Sequence, residues 1–105
     1  MKKPVIRIVR MTFHPERVSE FLLLFDERSA KIRSFEGCEG LDLVQDTRFD
    51  NVLTTISVWA SEDALSAYRD SDLFGDTWRI TKGLFADRPE AATHTLLTTV
   101  ETASS

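Results

Sequence analysis

Arg7, Trp59, Tyr68, Phe74, Trp78 and His94 are the side chains of this chain whose types and spacing could do chemistry together. Only two histidines occur. His14 precedes Pro15 at the end of an apolar alternation, which reads as an exposed strand-to-helix corner. His94 falls in a threonine-rich final strand, either as an ordinary strand residue or as the acid or base of a pocket. Arg7 alternates with Val9 and Met11, so if Val9 faces helices, Arg7 does too. A buried guanidinium needs an anion, either an Asp or Glu of the protein or a ligand's carboxylate or phenolate. On the opposite side of that strand, Arg10 is expected to meet Asp42 or Asp46. The single cysteine, Cys38, sits in EGCEG with no identifiable base and reads as an inert thiol. No His/Cys/Asp/Glu spacing suits a metal, no glycine-rich loop suits a phosphate, and no Ser/His/Asp order suits acyl transfer. No metal, flavin or nucleotide cofactor is expected.

The aromatic residues are concentrated in residues 56–85, which carry Trp59, Tyr68, Phe74, Trp78 and Phe85. They could fill a core, as their helical spacing suggests, or line a pocket for a flat organic molecule. Trp59 ends a strand beside a helix start at Ser61. Tyr68 lies seven residues after Ser61, about two helical turns on, and returns to the same face. Phe74 and Trp78 are four apart and share a face. These rings are therefore expected to converge between helices and sheet. The expected substrate-binding set is Arg7, Val9, Met11, Phe25, Trp59, Tyr68, Phe74 and Trp78, with His94, Tyr68 and Trp59 as the catalytic candidates.

The elements that must position them follow from the hydrophobic pattern. Residues 5–13 alternate as a strand. In residues 16–35, Val18, Phe21, Leu22, Phe25, Ile32 and Phe35 form one helical face, and Gly37 is a stop. Residues 40–48 and Val52–Trp59 read as a hairpin across Phe49-Asp50-Asn51. Ser61 and Ser71 cap two successive helices, over 62–70 and from 72 to about 86. Residues 93–100 read as the last strand, and 101–105 as a frayed tail. The order is β-α-β-β-α-β with the second helix split, an α+β, ferredoxin-like antiparallel sheet in one domain over residues 1–100. Ile6, Ile8, Ile56 and Val58 would leave an apolar sheet face bare, so a homodimer through the sheet faces is expected. The formal charge of −4, from 13 basic and 17 acidic residues, argues against a nucleic-acid partner. The longest wholly apolar run, 21–25, is too short to span a bilayer, so no membrane is expected. One cysteine and no leader-like N-terminus point to the cytoplasm.

The frame V-W-A-S-E-D-A-L-S-A-Y-R-D-S-D-L-F, from Val58 to Phe74, resembles the antibiotic biosynthesis monooxygenase domain of the dimeric α+β barrel superfamily. The resemblance implies a ferredoxin-like fold, a dimer, and either cofactor-independent oxygenation of a small aromatic or quinol-like substrate or non-catalytic binding of a small apolar ligand. Many members place a histidine where this chain has Tyr68. The haem-degrading branch is similar around Trp59, but its iron-ligating histidine falls at Trp78 and its first-strand asparagine at Val9, so haem degradation is not implied. Oxygenation without a cofactor needs a dry cavity, donors for a substrate anion and a base. Trp59, Tyr68 and Arg7 could be the donors, and His94 is the histidine available as base.

Overall fold

The computed structural model describes residues 3–103. β1 (Val5–Thr12), β2 (Cys38–Gln45), β3 (Val52–Trp59) and β4 (Glu90–Thr95) form one antiparallel sheet in the order β2-β3-β1-β4. A 3-10 turn at Pro15–Arg17 leads into α1 (Val18–Arg33), and α2 (Glu62–Arg69) and α3 (Asp72–Lys82) lie between β3 and β4. This is the ferredoxin-like arrangement with its second helix split, as the sequence pattern predicts.

The serine caps make the split. Ser61 Oγ accepts from the Ala64 amide at 3.2 Å, and Ser71 Oγ accepts from the Phe74 amide at 3.2 Å. Ser71 also donates back to the Tyr68 carbonyl at 2.5 Å, so one hydroxyl closes α2 and opens α3. After α1 the chain turns at Gly37, whose φ of 88° is costly for any residue with a β-carbon. A β-carbon there would also lie 2.5 Å from that of Ala64 in α2. This close approach seats the start of α2 against the end of α1.

Several boundaries differ from the sequence reading. β4 begins at Glu90 rather than 93, directly after Pro89, and ends at Thr95. Beyond it, the Leu96 amide donates to the Pro4 carbonyl at 3.0 Å. α3 ends at Lys82 rather than 86, because Phe85 leaves the helix to bridge Phe13. β2 stops at Gln45 rather than 48, because the Asp46 carboxylate accepts from the amides of Arg48 and Phe49 and closes the turn early. On α1 the buried residues are Phe21, Leu24 and Ile32, whereas Leu22 is 43% exposed. Leu24 lies three residues after Phe21 and eight before Ile32, so it holds the inner face that Leu22 was expected to share. Of the expected tail, Ser104 and Ser105 lie outside the described residues.

Strand register divides the sheet into two faces. Toward the helices point Val5, Arg7, Val9 and Met11 of β1, opposite Trp59, Ser57, Thr55 and Leu53 of β3. Away from them point Ile6, Ile8 and Arg10, opposite Val58, Ile56 and Thr54. The helix-side core falls into two clusters. Met11, Phe13, Phe21, Leu53 and Leu84 pack at one end of the sheet, and Val5, Cys38, Trp59 and Leu65 at the other.

Candidate functional site

Between the two core clusters the middle of the sheet is not filled. Val9 and Arg7 of β1 and Thr55 and Ser57 of β3 floor a cavity of about 220 Å³. Two helices roof it. Arg28 of α1 donates to the Thr77 hydroxyl at 2.9 Å and pairs with Asp76 at 3.2 Å, which ties α1 to α3 over the cavity.

The wall is a continuous run of rings. Trp59 is fully buried and stacks on Tyr68, with centroids 4.8 Å apart and planes at 22°. Tyr68 meets Phe74 edge-on at 5.3 Å, Phe74 stacks with Trp78 at 6.0 Å, and Trp78 meets Phe85 at 5.6 Å. Phe85 and Phe13 lie behind the wall and carry the run on to Phe21 and Phe25, which line the cavity again. Offset and edge-on pairs of this kind add to what burial alone contributes. They hold one another's orientation without closing the space between them.

Arg7, Val9, Met11, Phe25, Trp59, Tyr68, Phe74 and Trp78 all line this one cavity. His94 does not. It pairs with Ile6, so it lies on the sheet face turned away from Trp59. The sequence reading needed it opposite Trp59, but the register of β4 on β1 sets the opposite parity. The cavity therefore has no histidine base, and His94 is withdrawn as its acid or base. Arg10 likewise pairs not with Asp42 or Asp46 but with Glu90, its cross-strand neighbour, at 3.3 Å. β2 is one strand further away.

Five polar residues of the lining, Thr55, Ser57, Arg69, Thr77 and Thr81, lie outside the expected set. Ser57 is 8% exposed and accepts from the Trp59 indole N–H at 3.0 Å. Its place was readable from the alternation Leu53, Thr55, Ser57, Trp59. Thr77 belongs to the roof. Arg69, the last residue of α2, reaches the rim, a position that no local pattern marks. All six residues of β4 are exposed, so the cavity's edge at Pro89 and Ala91 is uncovered by a helix.

The electrostatics of the wall are one-sided. No lining residue is Asp, Glu, His or Cys. Arg7 donates to the Thr93 hydroxyl at 2.9 Å and meets no carboxylate among the described residues. Burial, and then the charge of Arg69, hold its guanidinium below the usual arginine value. Burial, with a smaller contribution from Cys38, pushes the Tyr68 phenol up to about 12. Tyr68 is thus a donor at neutral pH and not a base.

A small α+β domain with this sheet order and a ring-walled cavity beneath its helices defines the class of protein. The sequence profile of the antibiotic biosynthesis monooxygenase family matches residues 4–79, and the chain belongs to that family. In fold it is similar to a "putative antibiotic biosynthesis monooxygenase" of Caulobacter crescentus, with a TM-score of 0.86 at 19% identity over 92% of each chain. It is also similar to a variant of SnoaB, a cofactor-independent oxygenase of Streptomyces nogalater, with a TM-score of 0.83 at 22% identity over 93% of this chain and 97% of that one. At these identities the likeness is one of fold. A curated protein of Halobacterium salinarum, named a "putative heme-binding protein", is 32% identical over 75 residues, which are 71% of this chain. The chain spans only 15% of that relative's length.

The cavity lining does not fit a haem. Axial ligands to haem iron are His, Cys, Met or Tyr. The lining holds neither of the first two. The Trp78 indole nitrogen has no free lone pair. Tyr68 keeps its proton, and Met11, 2% exposed, is packed into the core with Phe13 and Phe21.

Proposed function

We propose that the chain is a cofactor-independent monooxygenase acting on a small aromatic or quinol-like molecule held in the ring-lined cavity. The observation that carries this reading is the cavity itself: apolar walls of stacked rings, hydrogen-bond donors on the floor, and no acidic side chain. In such a reaction the substrate is its own reductant. For an anthrone, the ionised ring carbon forms a bond to one oxygen atom of O₂. The carbon loses its two hydrogens, the O–O bond breaks, and the second oxygen atom leaves as water, giving the quinone. Rings exclude water from the reactive anion, and Arg7 with the Ser57 and Tyr68 hydroxyls stabilises its oxygen. With His94 on the far face, proton removal is left to solvent and to the acidity of the bound substrate.

The fold supports a two-fold dimer as the working unit. Ile6, Ile8, Ile56 and Val58 form an apolar patch on the sheet face opposite the helices, and a second copy would bury it. No helix among the described residues is long and apolar enough to cross a membrane, and the dimer is read as cytoplasmic. The haem-binding name of the Halobacterium relative offers another cofactor reading, which the lining does not favour. A dimeric barrel that binds an apolar ligand without turnover is the alternative reading.

The test is oxygen uptake by the purified chain, without added metal or flavin, against a panel of hydroquinones and anthrones. Uptake that is protein-dependent and resistant to chelator is expected for at least one of them. Ligand binding with no uptake across the panel would leave the non-catalytic reading. A one-to-one Soret shift with added haemin, followed by degradation under reductant, would overturn the cofactor-free assignment.

A further inference from the structure

Several polar groups of the cavity are donors with unused capacity. Ser57 Oγ accepts from Trp59, but no described residue accepts its own proton. The Tyr68 hydroxyl has no hydrogen-bond partner among the described residues, and burial keeps it protonated. Arg7 has a single side-chain partner, the neutral Thr93 hydroxyl, where a half-buried guanidinium normally meets a carboxylate. Arg69 adds a second positive charge on the same rim, near enough to oppose Arg7, and it forms no ion pair with a carboxylate among the described residues. Two like charges brought together with no anion between them is an arrangement that an incoming anion relieves.

We infer that the cavity takes its ligand as an oxyanion: a flat aromatic body lies among the rings, and its carboxylate, phenolate or enolate oxygen lies at the Arg7–Arg69 rim within reach of Ser57. An apolar cavity of roughly 150 Å³ holds one benzene ring, so about 220 Å³ leaves room for a fused ring system carrying one polar group. The inference rests on the cavity being the binding site proposed above, but not on turnover. It also supplies what that reading lacks. A site that prefers the anion lowers the pKa of its own substrate and so generates the reactive form without a protein base.

The test compares 2-naphthoate with its neutral isostere 2-naphthamide, followed by quenching of tryptophan fluorescence at neutral pH. Naphthoate is expected to bind about tenfold or more tighter, the size of one charge-assisted hydrogen bond. Arg7→Gln and Arg69→Gln should each cut the preference several-fold, and Arg7→Lys should restore part of it. Arg79→Gln, which removes the same charge from outside the cavity, should leave the preference intact. Arg69 is exposed, so its variant stays informative if Arg7→Gln fails to fold. A nitronaphthol whose colour reports its ionisation separates the two oxyanion sources. A lowered pKa on binding identifies a phenolate ligand, and a naphthoate preference without that shift identifies a carboxylate. Equal affinity for acid and amide, or a preference unchanged in both arginine variants, would overturn the inference. Anion-selective binding without oxygen uptake would remove the oxygenase reading and leave this one standing. Uptake without anion selectivity would do the reverse.

Discussion

Arg7 and Arg10 leave the same strand in opposite directions, and the two sheet faces treat them differently. On the open face Arg10 has Glu90 directly across at 3.3 Å, in a solvent-exposed pair. On the helix face Arg7 is more enclosed, yet its partner is a hydroxyl and its nearest charge is another arginine. If arginines were distributed for stability alone, the enclosed one would be the better neutralised, because desolvating a charge costs more than exposing it. The reverse arrangement is the one the proposed anionic ligand would account for. The aromatic residues repeat the lesson. Every aromatic side chain except exposed Phe49 belongs to the run of rings on the helix side. The open face carries aliphatic Ile6, Ile8, Ile56 and Val58, as a surface made to pack flat against a like surface would.

The contrast can be pressed hardest at Trp59. Trp59→Ala should lower stability by about 3–5 kcal/mol, as deletions of large buried aromatic side chains do, because the indole joins Val5, Cys38 and Leu65 in one core cluster. Thermal unfolding with and without 2-naphthoate checks this, and the ligand's stabilising effect should also disappear. On the open face, Ile56→Asp should disrupt the proposed dimer by a comparable amount, since an unpaired buried carboxylate costs several kcal/mol. Light scattering at micromolar concentration should then report a monomer that retains its fold by circular dichroism. If the wild-type chain is itself monomeric there, the open face has a different role.

The Tyr68 phenol gives a smaller, pH-dependent effect. Its folded value of about 12 lies above the ordinary 10.0, so folding favours the neutral phenol. Its contribution is complete below pH 10 and is lost as pH rises toward 12, about 2–3 kcal/mol in all. Tyr68→Phe should flatten the fall in melting temperature over that alkaline window. The smallest effect distinguishes the arginines. Arg10→Gln should change stability by no more than about 0.5 kcal/mol, as exposed pairs do, and leave ligand affinity unchanged. Arg7→Gln should weaken anion binding about tenfold.

What was legible in the sequence follows physical range. The split helix was legible because Ser61 and Ser71 act within three residues of themselves. The two faces of β1 and β3 were legible from alternation, which puts Arg7 on the side of Val9 and Met11. The face of His94 was not, because the parity of an edge strand is set by its pairing with β1 more than 80 residues earlier. Arg69 was invisible for a related reason. As the last residue of a helix on an exposed turn it looks like a solvated charge, and only the packing of α2 on the sheet brings it to the rim with Arg7. Leu24 rather than Leu22 is the buried one because a leucine-rich run offers several faces of similar apolarity, and tertiary packing decides among them.

The central claim is that the cavity ionises its ligand with arginine and hydroxyl donors rather than with a protein base. The direct test is the pH dependence of oxygen uptake, measured with two quinols or anthrones of well-separated acidity. Two profiles are expected whose midpoints move with the substrates, each displaced to lower pH than the free compound and each displaced less in Arg7→Gln. A single midpoint shared by both substrates would reveal a titrating protein base and contradict it.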